Sequence, residues 1–396
     1  MNVSPVETAP LTRAEVLERV QGIVDLPSTI RPVADYAAAA KALPALRPLL
    51  EKDEELLSVF RKASEIIESA LPPSLAATPT LCPPEKVELS KYRPPCFLIP
   101  EIALTFELSP EETIVTCKMK VEWSYGPSTL VLNGEKQPID SIEIDGRTLM
   151  PDEYRLFQDK LVLFNVPLAF ELTICTRLNP SENKSASGLY MTDGLFATHC
   201  EPEAFRKIAY HPDRPDILST YDVTLIADAK QCPVLLSNGD CVESSDLEDG
   251  RHLRRFVDPI PKPSYLFALV AGDLATVEDT FITGNGREIQ LAIFAAAKYT
   301  SGLAPAMEAL KSVMRWDEET YGRTYRHNEM RMIALDDFNA GACECTSLIM
   351  FNADCLVAHP KWSSDMLICD VVRTIAHEYI HYWNGNAVTI RSWHEL

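Results

Sequence analysis

No stretch of this sequence approaches the roughly 20 consecutive apolar residues that cross a bilayer. Residues 1–16 carry neither the basic leader nor the apolar core of an export signal. The expectation is a cytoplasmic globular protein without a membrane partner. No Cys-x-x-Cys pair occurs, and eleven cysteines, an odd number, are scattered along the chain. That spacing argues for reduced thiols rather than a disulfide framework. Basic residues are in short supply: 37 Lys and Arg stand against 57 Asp and Glu, a formal net charge of −20. Such a surface disfavours nucleic acid and anionic membrane and attracts cations such as a free α-amine.

What is present is apolar enough for real cores, at 46% hydrophobic over 396 residues, and long enough for two or three domains. Residues 1–90 read as a helical extension. Thr12 can cap a helix with Val16, Val20 and Ile23 at helical spacing, residues 34–43 and 54–71 continue the pattern, and the proline-rich residues 72–84 form a linker. Over residues 91–273 the period changes to that of strands. Val115, Cys117, Met119, Val121 and Trp123 alternate with polar residues, Asp145-Gly146 marks a hairpin turn, and short apolar runs recur at 161–164, 168–176, 221–227, 234–236 and 265–270. An antiparallel β saddle or sandwich is expected there. Residues 274–396 open with a strand pair (276–281, 289–294), then a long helix over 304–321 and an apolar strand over 330–335. The fold class is α+β, multidomain.

The chemistry concentrates in residues 370–396, which hold His377-Glu378-Tyr379-Ile380-His381. Histidines four apart on a helix share a face, one turn from each other, so both imidazoles can reach one metal ion. Neutral imidazole binds Zn2+ at about 2.0–2.1 Å, and a coordination position left to water lowers that water's pKa to about 7. Glu378, between the two, is placed as the general base. Three fixed letters in five also arise by chance. Helical context strengthens the reading: Val371, Val372, Ile375, Ala376, Ile380 and Trp383 form an apolar stripe, with Gly385 as a stop, so the motif falls on a buried helix. Upstream, Glu344 lies on a loop after the 330–335 strand, as a structural carboxylate or as a substrate group.

Together these residues carry a resemblance. Asp337-Phe338-Asn339-Ala340-Gly341-Ala342-Cys343-Glu344, the His377–His381 motif and Trp383-Asn384-Gly385-Asn386 behind it are similar to the gluzincin aminopeptidases of the bacterial aminopeptidase N type. Gly188-Leu189-Tyr190, the segment from Thr198 through Glu201 to Arg206, Asp213-Arg214-Pro215-Asp216, Leu236-Ser237-Asn238-Gly239 and Pro261-Lys262-Pro263 through Phe267 extend the likeness over roughly residues 91–396. The resemblance implies a β domain followed by a thermolysin-like zinc peptidase domain that acts on peptides with a free N-terminus. It implies one zinc ion on His377 and His381, Glu378 as general base, Glu201 and Glu344 on the substrate's α-ammonium, and the Gly341-Ala342 backbone beside the substrate. Paired carboxylates at that point would neutralise the terminal amine and measure its distance to the scissile carbonyl.

Departures from the pattern accompany it. The family's Gly-x-Met-Glu-Asn loop is Gly341-Ala342-Cys343-Glu344-Cys345 here, and a thiol cannot replace the donors and acceptor of an amide. His199 stands where the family commonly has Gln. Cys343 and Cys345 also offer an alternative ligand set. The family's third zinc ligand, a glutamate nineteen positions after the second histidine, falls beyond Leu396, and the spacing of Glu395 is wrong for it. The chain is therefore expected to be a truncated, inactive form whose missing C-terminal half, or a partner, completes the site. The alternatives are a non-catalytic peptide-binding or regulatory relative, or a truncated gene product without activity.

Overall fold

The computed structural model describes residues 92–135 and 137–395. The helices and linker expected over residues 1–90 lie outside them. Two compact units are present. The described part of the smaller one runs up to Leu98 and includes Glu122–Leu130 and Phe164–Leu168, joined by backbone bonds such as Ser124 N–H to the Cys96 carbonyl (2.7 Å) and Val166 N–H to that of Ser128 (3.0 Å).

The larger unit contains most of an eight-stranded sheet, and its hydrophobic alternation forms as read: in Thr113–Trp123, Val115, Cys117, Met119 and Val121 are all buried. Strands Ile139–Ile144 and Arg147–Thr148 pair antiparallel across Asp145 and Gly146, at φ 51° and 77°, the positive pair that a two-residue hairpin turn requires. The sheet departs from the antiparallel expectation where Phe97–Glu107 runs parallel to Ser219–Asp228. A run expected as a strand over 265–270 is a short 3-10 turn, Ser264–Leu266, followed by a strand at Leu269–Gly272. The cause is Asn238, fully buried, whose amide donates to the Leu266 carbonyl (3.1 Å) and accepts from Ala268 N–H (2.7 Å), drawing the backbone off a sheet ladder.

Two further sheets frame the chemistry. A four-stranded sheet contains Gly188–Thr192, Leu195–His199, Val234–Ser237 and Leu269–Gly272. A five-stranded sheet contains, in spatial order, Ala275–Ile282, Glu288–Ala295, Glu329–Leu335, Leu348–Asn352 and Ala342–Cys343. In the central strand Met330, Met332 and Ala334 face one core, with helices α1 (Ala304–Tyr321) and α3 (Asp365–Ile380), while Ile333 and Leu335 face a second core shared with the four-stranded sheet. This strand is covered on both sides, as parallel neighbours require. A short helix, α2 (Ala353–Leu356), precedes α3.

A buried polar network fixes the end of α3. Asp258 accepts from Lys262 Nζ (2.7 Å) and sits 3.0 Å from His327 Nε2, while His327 Nδ1 meets the hydroxyl of Tyr382, next to His381, at 2.9 Å. Lys262 also stands 4.3 Å from the Tyr221 ring centroid. Asp258→Ala would leave a buried ammonium unpaired, and the expected loss is about 3–5 kcal/mol, read from the urea midpoint. Burial pushes the Asp258 carboxyl up, but Lys262 and His327 more than offset this and hold it below the carboxylate range. Its contribution is therefore complete above an unfolded pKa of about 3.9 and is lost as pH falls through the lower folded value. Acidification is expected to destabilise the wild type more than Asp258→Asn, which does not titrate.

Candidate metal and substrate site

Helix α3 starts at Ser364, whose hydroxyl accepts from Leu367 N–H at 3.2 Å, a standard N-cap, with Asp365 in the first turn. Val371, Ile375, Glu378 and Tyr379 form its buried face, and His377 is exposed. The motif is therefore amphipathic rather than wholly buried, and Val372, expected in the apolar stripe, is 40% exposed. Nor does Gly385 end the helix. The α-helix stops at Ile380, and the chain continues in wider turns, with Asn386 N–H on the His381 carbonyl (3.0 Å) and Val388 N–H on that of Trp383 (2.8 Å).

Those turns orient the second histidine. His381 Nδ1 lies 2.8 Å from the Asn384 carbonyl, which only a protonated Nδ1 can use, so the lone pair resides on Nε2. That nitrogen stands 3.1 Å from His377 Nε2. An ion at about 2.0–2.1 Å from both would see them at an angle of about 100°, close to tetrahedral, so the pair fits a zinc ion. Gly385 is needed here. Its φ is 131°, and a Cβ would lie 2.8 Å from His381 Nδ1. Gly385→Ala is expected to tilt the ring and weaken metal binding by about 10–100-fold, measurable by competition with a chromophoric chelator.

Three carboxylates gather beside the imidazoles. Burial raises the Glu378 carboxyl to about 8, with the negative charges of Glu344 and Glu201 adding to it. Burial and Glu344 raise Glu201, against a lowering pull from His381. Glu201 follows the strand Leu195–His199, joined to Pro202 by a cis peptide bond, and Glu344 follows Ala342–Cys343. His199 is half-buried 4.7 Å from the Phe338 ring, and burial lowers its pKa against raising contributions from the Ala186 backbone and the charge of Glu344. Ala342–Cys343 is the edge strand of its sheet, paired on one side with Leu348–Asn352. Gly341 is exposed, its carbonyl taken by Asn352 N–H at 3.0 Å.

Residues 101–266 match the peptidase M1 N-terminal domain and residues 305–396 the peptidase family M1 domain. The chain belongs to peptidase family M1. It is 46% identical over 314 residues to aminopeptidase N of Caulobacter vibrioides, covering 79% of this chain and 36% of the relative. Against aminopeptidase N of Escherichia coli it is 40% identical over 308 residues, 77% of this chain and 35% of the relative. The crystal structure of Legionella pneumophila aminopeptidase A in complex with aspartic acid superposes with a TM-score of 0.74 at 36% identity, covering 78% of this chain and 37% of that one. The chain thus spans little more than a third of these relatives.

Within this M1 chain, the stitching between site elements comes from residues without chemistry of their own in the sequence reading. Asn386 donates to the Glu344 carbonyl at 2.7 Å, tying the turns after α3 to the glutamate loop. Asn238 donates to the Thr346 carbonyl at 2.8 Å, and the Tyr265 hydroxyl to the Gly385 carbonyl at 3.2 Å. The only signal for them was their place in family-like motifs. The alternative ligand set of Cys343 and Cys345 does not form around His377 and His381: Cys343 groups instead with His199 and Glu201. Among the described residues, no third His, Cys, Asp or Glu completes a cluster with the two histidines, and Glu395 pairs with Arg391. No helix among them is long and apolar enough to cross a membrane.

Proposed function

We propose that the protein is a zinc-dependent aminopeptidase that removes the N-terminal residue of peptides. One observation carries this reading: the Nε2 atoms of His377 and His381 stand 3.1 Å apart on α3 with the buried Glu378 between them in sequence, and the charges of Glu344 and Glu201 reach that carboxyl. Such a cleft needs positive charge, and a divalent ion together with a peptide's α-ammonium supplies it. His377 and His381 would hold the ion, which would supply the Lewis acidity that makes water nucleophilic near neutral pH. Glu378 takes the proton of the attacking water and passes it to the leaving amine. Glu201 and Glu344 hold the α-ammonium, which sets which carbonyl is presented, and the free edge of Ala342–Cys343 lies along the peptide backbone.

In this reading residues 91–273 supply one amine-binding carboxylate, and residues 274–396 the other together with the metal helix. Turnover needs a further protein ligand beyond those among the described residues, from the chain or a partner. Glu201→Gln and Glu344→Gln each remove a charged hydrogen bond worth about 1.5–3 kcal/mol, and kcat/KM toward aminoacyl arylamides is expected to fall about 10–100-fold, chiefly through KM. Values within twofold of wild type would place the amine elsewhere.

A further inference from the structure

The ligand atoms of His199, Glu201 and Cys343 all lie within 4.8 Å of one another. None of the three belongs to the histidine pair on α3, and they arrive from two different sheets: His199 and Glu201 at and just past the end of Leu195–His199, Cys343 on the edge strand. Behind Cys343, whose side chain is only 1% exposed, the sulfur of Cys345 lies 3.4 Å from its own. Burial lowers the pKa of the half-buried imidazole, which favours the neutral ring that has a lone pair to donate. Nitrogen, carboxylate oxygen and sulfur in one half-buried corner make a mixed donor set of the borderline-soft kind.

We propose that His199, Glu201 and Cys343 form a second cation site that takes one thiophilic divalent ion of the zinc–cadmium class. Binding replaces the Cys343 S–H bond with a metal–sulfur bond and sends the proton to water. One thiolate and one carboxylate then balance the two positive charges, and the neutral imidazole adds a donor without changing the sum. Hard cations such as Mg2+ gain little from a thiolate and are rejected. The inference reaches beyond the proposed function in adding an ion site. Its consequence rests on that function: Glu201 cannot hold an ion and a peptide's α-ammonium together, so the ion and peptides with free N-termini exclude each other.

The test titrates Cd2+ into native protein carrying no more than one equivalent of Zn2+ and follows the ultraviolet charge-transfer absorption of a cadmium thiolate, a signal that owes nothing to turnover. One saturable equivalent per chain is expected. Cys343→Ser, close to isosteric, is expected to abolish that equivalent, and His199→Ala to raise its Kd more than about tenfold. His377→Ala should leave the cadmium signal intact. Absence of the band in the wild type overturns the proposal. So does a band of equal amplitude in Cys343→Ser, because thiols such as the exposed Cys369 would then be responsible.

Discussion

Glu378→Gln is expected to lower kcat by about 10²–10⁴-fold, the usual share of a positioned general base, while bound zinc stays at its wild-type level. The two halves of that result separate a proton-transfer role from a structural one. Glutamine keeps the length and shape of the side chain at a position only 7% exposed, so α3 and its histidines should not move. What it loses is the capacity to take a proton. In the metal-free protein, burial and two like charges raise that carboxyl, so its removal is not expected to destabilise the fold. The variant should therefore unfold no earlier than wild type. A fall in kcat of less than tenfold would mean that the water's proton leaves by another route.

The second large effect is on the ion. Losing an orienting partner of a metal ligand typically weakens affinity about 10–100-fold, so deleting the ligand itself is expected to exceed that range. His377→Ala and His381→Ala should each lower zinc affinity by more than about 100-fold, read by competition with a chromophoric chelator. His377 is exposed and His381 half-buried, and neither anchors a core. In metal-free buffer their unfolding midpoints should stay within about 0.5 kcal/mol of wild type. Loss of zinc without loss of stability distinguishes a ligand from a packing residue.

Much of the architecture was legible because it follows from periodicity. Val115 to Val121 alternate and form a strand, and the long helix read over 304–321 is observed as Ala304–Tyr321. The elements that escaped notice lack a period. Leu348–Asn352 is apolar without alternation because the strand is covered on both faces, and such a run cannot be told from loop or helix by pattern. Ser347, at φ 61°, turns the chain between that strand and Ala342–Cys343, and no glycine marks the spot. The 265–270 run was misplaced because one buried amide, that of Asn238, takes the backbone bonds a strand would use.

The site was legible to a different depth. His377, Glu378 and His381 are fixed by helical geometry, since any helix through them brings the two imidazoles within reach of one ion. That the Nε2 atoms face each other depends on the Asn384 carbonyl and on Gly385, which a five-residue motif does not contain. Glu201 and Glu344 are 143 residues apart in number and come from separate sheets, so only the family likeness could pair them before the fold was known. The grouping of Cys343 with His199 and Glu201 has the same origin: it is a product of tertiary packing, and neither spacing nor composition announces it.

The central claim is that this cleft recognises a free N-terminus and cuts beside it. Its most direct test follows one peptide, with a free or an acetylated N-terminus, by mass spectrometry during incubation with the zinc-loaded native protein. Stepwise loss of single residues from the free form, with the acetylated form intact, is the predicted result. Internal cleavage, or equal consumption of both forms, would contradict it.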